Sequence, residues 1–170
     1  AAVLEHTYSD DASTALAIAN YILHSSLNYC ADQAHIFMFC DVEHYLTLRE
    51  SARAAGWNPM RTPLIWQKSG AQGHVPEGVI GFRRSYECIL FASKGGKKIQ
   101  RIVSDIISIS PEQNKLHAAQ KPVELYKFLL SLSCLPGDSV FDPTCGSGTI
   151  FRAAHQLKLK ATGIEKDERY

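Results

Sequence analysis

No stretch of this 170-residue sequence comes near the run of about 18 apolar residues that a membrane-spanning helix needs, so no span is expected. No Cys-x-x-Cys pair occurs either. The cysteines, Cys30, Cys40, Cys88, Cys134 and Cys145, lie too far apart for a zinc knuckle, and no metal site is expected. Their odd number and wide spacing point to reduced thiols in a cytosolic protein rather than to a disulfide framework. A dominant sign of charge is also lacking. Eighteen Lys and Arg against 17 Asp and Glu leave a net charge of +1, so any nucleic-acid contact must rest on local basic groups or on protein outside this chain. There is no internal repeat and no low-complexity tract. A composition of 45% hydrophobic and 21% charged residues is ordinary for a globular protein, and the length suits one domain with a real core.

What is present is an alternation of helix-like and strand-like segments. Residues 9–28 predict a helix: Ser9, Asp10 and Asp11 can cap its start, and Leu16, Ala19, Ile22, Leu23 and Leu27 recur at helical spacing. The apolar run Ala34 to Cys40 suits a buried strand, and residues 42–55 suit a helix closed by Gly56. Strands are expected near 61–67 and 86–93, with a glycine-containing loop between them, and 99–109 reads as a strand or a surface excursion. After Pro122 come a helix over 123–133, the turn Leu135-Pro136-Gly137-Asp138, a strand over 139–142, a helix from Gly148 to Leu157 and a strand over 160–164. This order predicts the α/β class, a Rossmann-like, mostly parallel sheet with helices on both faces. Trp57 and Trp66 read as packing residues.

The strongest local signal is Val140-Phe141-Asp142-Pro143-Thr144-Cys145-Gly146-Ser147-Gly148-Thr149 followed by an apolar helix. Ligands of such sheets bind at the carboxyl ends of strands. Gly146 and Gly148 let the backbone turn sharply and approach a ligand, and the next helix presents free N–H groups there. Asp142 at the strand tip can accept from an ammonium or hydroxyl. Glu165, just past the next strand, stands where an acidic residue reaches a ribose hydroxyl pair. A P-loop is excluded because no Lys-Ser or Lys-Thr follows the glycines, and the Gly-x-Gly spacing does not complete a dinucleotide fingerprint. The ligand expected is a nucleoside without need of a diphosphate. The plainer alternative is a tight strand-to-helix turn and nothing more.

Phe141 to Thr149 resembles the cofactor motif of the DNA amino-methyltransferases, the enzymes of adenine N6 and cytosine N4, usually Asp-Pro-Phe-x-Gly-Ser-Gly-Thr. His117-Ala118-Ala119-Gln120-Lys121-Pro122 is similar to the His-x-x-Gln-Lys-Pro segment that precedes it in that family, and Thr162-Gly163-Ile164-Glu165 to the family's ribose-binding strand end. The segment order resembles the circularly permuted β group, and the chain looks most like its phage- and plasmid-borne adenine-N6 members. Ile36 to Asp41, Arg61 to Lys68 and Arg83 to Leu90 resemble the family's upstream strands, so the likeness covers nearly the whole chain. Thr144-Cys145 departs from the usual centre of the turn. The family's catalytic Asp/Asn/Ser-Pro-Pro-aromatic tetrapeptide does not occur; no two prolines are adjacent anywhere in the sequence. The resemblance places that motif before the first helix, upstream of Ala1. The expectation is thus one methyltransferase domain over 1–170, N-terminally incomplete: a target-side half over 1–93, a short connecting or recognition segment over 94–116 and a cofactor half over 117–170.

The resemblance implies S-adenosylmethionine as cofactor and double-stranded DNA as partner, with no membrane role. Asp142 would face the methionine amino group and Glu165 the ribose. Pro143, Cys145, Gly146, Gly148 and Thr149 would line the cofactor, and Gln120, Lys121 and Pro122 would close its carboxylate end. The target amine would be held by the tetrapeptide on a base flipped out of the duplex. A carbon-5 cytosine mechanism would need a Pro-Cys nucleophile, and no cysteine follows a proline. Arg83, Arg84, Lys97 and Lys98, with Lys94 and Arg101, are candidate phosphate contacts, the alternative being a solvated face. Tyr86 either stacks near the target base or, the preferred reading, is a buried strand residue. His117 either orients the loop before Lys121 or is structural. Two other readings compete: a binding module without catalysis, and a methyltransferase of RNA, protein or a small molecule.

Overall fold

The computed structural model describes residues 12–70, 81–113 and 119–168. The expected capping residues Ser9 to Asp11, and His117, lie outside these. The elements run α1 (Ala12–Ser25), β1 (Ala34–Cys40), α2 (Tyr45–Ala55), β2 (Asn58–Pro59), β3 (Leu64–Lys68), β4 (Tyr86–Lys94), β5 (Ile106–Ile109), α3 (Val123–Ser133), β6 (Ser139–Asp142), α4 (Thr149–Gln156) and β7 (Lys160–Gly163). Short 3-10 turns over 26–28 and 42–44 extend α1 and introduce α2.

Strand parity explains the layers. On β1, Ile36, Met38 and Cys40 pack with Leu90 and Ala92 of β4 against Leu23 of α1 and Tyr45, Leu48 and Ala52 of α2. The opposite parity, Phe37 and Phe39 of β1 and Ile89 of β4, joins Trp66, Ile107 and the α3 residues Leu125, Phe128 and Leu129 on the other face. Helices therefore cover both faces of the sheet, as the α/β reading expects. Each fully buried aliphatic side chain contributes about 1.5–3 kcal/mol relative to exposure. Trp57 and Trp66 are both core residues, at 3% and 1% exposure, and each indole N–H meets a carbonyl: Leu23 O at 2.9 Å and Ile109 O at 2.8 Å.

The expected mostly parallel sheet is a mixed one. Its order is β1-β4-β3-β5, with β2 also paired to β4. β4 runs antiparallel to β1, β2 and β3, while β3–β5 and the separate two-stranded β6–β7 are parallel. The reason is that β4 itself carries the chain back between β3 and β5, a task a helix performs in a regular parallel crossover. The excursion before β5 is irregular over 99–105, where Ile102 is fully exposed, and only Ile106–Ile109 pairs. β3 starts at Leu64, directly after Pro63, which has no N–H to donate to a ladder.

The register places the functional end. Cys40 of β1 opposes Cys88, and Gln67 of β3 opposes Tyr86, so the carboxyl ends of β1 and β3 meet the start of β4. Lys68 opposes Ile109, which brings the end of β5 to the same rim.

Candidate functional site

The β6–α4–β7 unit forms the candidate ligand turn. β6 ends at Asp142, opposite Gly163 of β7. Between them the chain closes on itself: Cys145 N donates to Ile164 O at 3.0 Å, Ile164 N to Asp142 O at 3.0 Å, and Gly148 N to Cys145 O at 2.9 Å. Gly148, at φ 76°, is the residue before α4, a backbone conformation that a side chain strains. Gly163 is needed for room instead. A Cβ there would stand 2.8 Å from both Cys145 Sγ and Phe151 Cζ.

Two carboxylates flank this turn. Asp142 Oδ1 accepts from Thr144 N at 3.0 Å, and its Oδ2 from the Tyr126 hydroxyl at 3.3 Å. Glu165 Oε2 accepts from Gly146 N at 2.8 Å, and Oε1 from Lys166 N at 2.9 Å and Asp167 N at 3.0 Å. Among the described residues neither acid is paired with a cation. Burial pushes the Asp142 carboxyl above its usual range; hydrogen bonds from Thr144 and Tyr126 oppose the rise and the charge of Glu165 adds to it. Burial, helped by the charges of Asp142 and Glu165, also raises the Cys145 thiol above its usual range. Ser147 Oγ is buried in the turn with no protein partner among the described residues.

The Gln120-Lys121-Pro122 segment lies against the same turn, because Thr149 Oγ1 donates to Lys121 O at 3.3 Å. Gln120 and Pro122 are buried. The Lys121 ammonium points to the sheet: it is 2.5 Å from Glu87 Oε2, 5.1 Å from the Phe39 ring centre and 5.9 Å from that of Trp66. Lys68 reaches the other oxygen of Glu87 at 2.9 Å. Burial alone would raise the Glu87 carboxyl, but the attraction of Lys121 and hydrogen bonds from Lys121 and Lys68 hold it below the usual range.

The structure thus brings Gln120, Lys121, Pro122, Asp142, Pro143, Cys145, Gly146, Gly148, Thr149 and Glu165 into one neighbourhood. Arg83 and Arg84 are exposed just before β4, at the rim that carries Glu87 and Lys121. Tyr86 corrects the expectation of a buried strand residue. It is 47% exposed, because β4 begins at the open rim. Lys97 and Lys98 follow the far end of β4, roughly 27 Å from Tyr86 by the rise of an antiparallel strand. Lys94 is not a free phosphate contact: its ammonium donates to Leu27 O at 3.1 Å and Cys30 O at 3.5 Å. Arg101 donates to Ser131 Oγ at 3.3 Å. Glu87, Tyr126 and Ser147 escape the sequence reading. Glu87 had one signal: it shares the inward parity of Ile89 beside the apolar run Cys88 to Ala92.

The arrangement matches a known group. A family model described as DNA methylase, for N6 and N4 methyltransferases, matches residues 10–170. The type II methyltransferase M.HindIII of Haemophilus influenzae is 39% identical over 122 residues, 68% of this chain. The match spans only 39% of that relative's length. Among solved structures, M1.HpyAVI in complex with S-adenosylmethionine superposes with a TM-score of 0.78 at 20% identity, over 93% of this chain and 80% of that one. The cytosine-N4-specific PvuII DNA methyltransferase gives 0.65 at 16% identity, over 81% and 60% respectively.

Proposed function

Since the chain belongs to the DNA methylase family of N6 and N4 methyltransferases, we propose that its β6–α4–β7 turn binds S-adenosylmethionine, and that the protein containing it methylates an exocyclic amino group of double-stranded DNA. Adenine N6 is the target favoured by the sequence resemblance.

The observation that carries this reading is the pair Asp142 and Glu165, two carboxylates at the tips of adjacent parallel strands that accept hydrogen bonds and, among the described residues, have no cationic partner. Burial pushes the Asp142 carboxyl upward, so a ligand that supplies a positive charge there would offset the penalty of its ionisation. The residues fit a ligand bearing an ammonium, a ribose and a sulfonium. Asp142 would receive the ammonium and Glu165 the ribose hydroxyls. Ser147 Oγ offers a further polar atom, and Pro143, Cys145, Gly146, Gly148 and Thr149 would wall the site. Gln120 and Pro122 would close the end opposite the nucleoside, with Lys121 between them. When bound, S-adenosylmethionine supplies an electrophilic methyl group. What this chain adds is orientation, which is a large part of the rate where no covalent intermediate is required.

Arg83 and Arg84 stand at the same rim and are the proposed phosphate contacts; Lys97 and Lys98, at the far end of the sheet, are assigned to a solvated turn. The target-side half over 1–93 and the cofactor half over 117–170 are proposed to form one domain.

The test is calorimetric titration of the full-length protein with S-adenosylmethionine, followed by radiolabelled methyl transfer to duplex DNA and digestion to nucleosides. Saturable binding and label on N6-methyldeoxyadenosine support the reading, and label on N4-methyldeoxycytidine would move the target only. Binding without transfer would leave a cofactor-binding module. Absence of binding would overturn the assignment of the turn.

A further inference from the structure

Glu87 has no part in the cofactor reading, yet it is a half-buried acid that bridges two lysines. Its two oxygens hold two lysines from different places, Lys68 at the end of β3 and Lys121 in the segment before α3. Those lysines leave solvent for an aromatic wall: Lys68 lies 5.4 Å from the Trp66 ring centre, and Lys121 lies over Phe39 and Trp66. From this hub two routes lead to the ligand turn. One runs through the Lys121 main chain, whose carbonyl accepts from Thr149 at the first turn of α4. The other runs through Phe39, stacked on Tyr126 with ring centres 6.3 Å apart, and from the Tyr126 hydroxyl to Asp142. Strands β6 and β1 share no ladder among the described residues. The hub and these two routes therefore supply polar and aromatic links between the larger sheet and the turn.

We propose that Glu87 is a positioning residue for S-adenosylmethionine: by anchoring Lys121 to the sheet, it registers the Gln120–Pro122 segment and the Asp142 wall against each other. This rests on the cofactor reading above and assigns its parts. Lys121 is the anchor, and the ligand-facing work of the segment belongs to its neighbours and main chain. A surface ion pair would contribute little here, but this one is largely desolvated, with Glu87 side-chain exposure of 27% and Lys121 of 19%.

A double-mutant cycle on S-adenosylmethionine affinity, measured by calorimetry on the full-length protein with thermal unfolding alongside, tests it. Glu87→Gln and Lys121→Met should each weaken binding by about tenfold, and the double variant should be no worse than either single one. Lys68→Met, which spares the Glu87–Lys121 contact, should weaken binding less. If Glu87→Gln does not fold, Glu87→Asp with Lys121→Arg completes the same cycle, with a several-fold, non-additive loss expected. Unchanged affinity in a Glu87 variant, or losses that simply add, would overturn the proposal and leave a plain stabilising ion pair. A wild-type protein that binds no S-adenosylmethionine would instead overturn the reading on which the proposal rests.

Discussion

The five-stranded sheet and the β6–β7 pair solve the same folding problem by different means. The larger sheet carries a closed apolar cluster on each face, and its one inward acid, Glu87, is neutralised by two lysines. In the smaller pair, alternate residues are exposed: Ser139 and Phe141 on β6, Lys160 and Thr162 on β7. Much of its order comes from loop hydrogen bonds, such as Gly137 N to Lys158 O at 2.8 Å and Lys160 N to Asp138 O at 2.8 Å. Its acids, Asp142 and Glu165, accept hydrogen bonds and have no cationic partner among the described residues. One region packs its apolar faces and pairs its inward acid, and the other is the region to which the cofactor reading assigns a ligand. Substitutions in the first should report on folding, and those in the second on binding.

The largest effect is expected where that distinction is sharpest. Trp66→Ala removes a 1%-exposed ring that packs one face of the larger sheet, and should cost about 3–5 kcal/mol in urea unfolding. A cost below about 1 kcal/mol would mean that this cluster does not carry the fold. Next, Glu165→Ala should weaken S-adenosylmethionine binding about ten- to a hundredfold in calorimetry while costing less stability than Trp66→Ala. The reverse pattern would erase the contrast between the two regions.

A third expectation concerns acid response. Asp142 has a folded-state pKa raised mainly by burial, so its ionisation penalty is fully present above that raised value. The penalty is relieved as pH falls toward the ordinary carboxylate range. Glu87, held low by Lys121 and Lys68 against its own burial, behaves oppositely: its contribution is present above the ordinary range and is lost as pH falls through the lowered value. Urea midpoints between about pH 3 and pH 7 should therefore show Asp142→Asn gaining on wild type as pH rises, and Glu87→Gln losing ground. Parallel curves would show that the two acids are not differently compensated. The smallest effect belongs to Phe141→Thr, at a 51%-exposed strand position, expected to lie within about 0.5 kcal/mol of wild type in the same denaturation assay.

The sequence made some of this legible and hid the rest for physical reasons. β1, α3 and β6 fall at their expected bounds, because punctuation such as Pro122 and the Leu135–Asp138 turn sits at the ends of clear apolar patterns. Strand direction was hidden: side chains alternate identically in parallel and antiparallel strands, so nothing in Tyr86 to Lys94 announces that β4 runs back between its neighbours. Tyr86 misleads for a related reason, since its burial depends on where the rim of the sheet falls. The glycine turn and Glu165 were visible because residue type and strand-end position coincide. Glu87, Tyr126 and Ser147 acquire meaning only from partners distant in sequence, and β2 is too short to leave a pattern.

The three main-chain N–H groups that hold Glu165 have a further consequence for recognition. A glutamate side chain free in solvent samples many rotamers, and freezing it on a ligand costs about 0.5–1.5 kcal/mol in entropy. Here the carboxylate is immobilised from both oxygens by Gly146, Lys166 and Asp167. That ordering cost is met during folding, so a ribose arriving at this edge would meet an acceptor already aimed, with the remaining lone pairs still available to its hydroxyls.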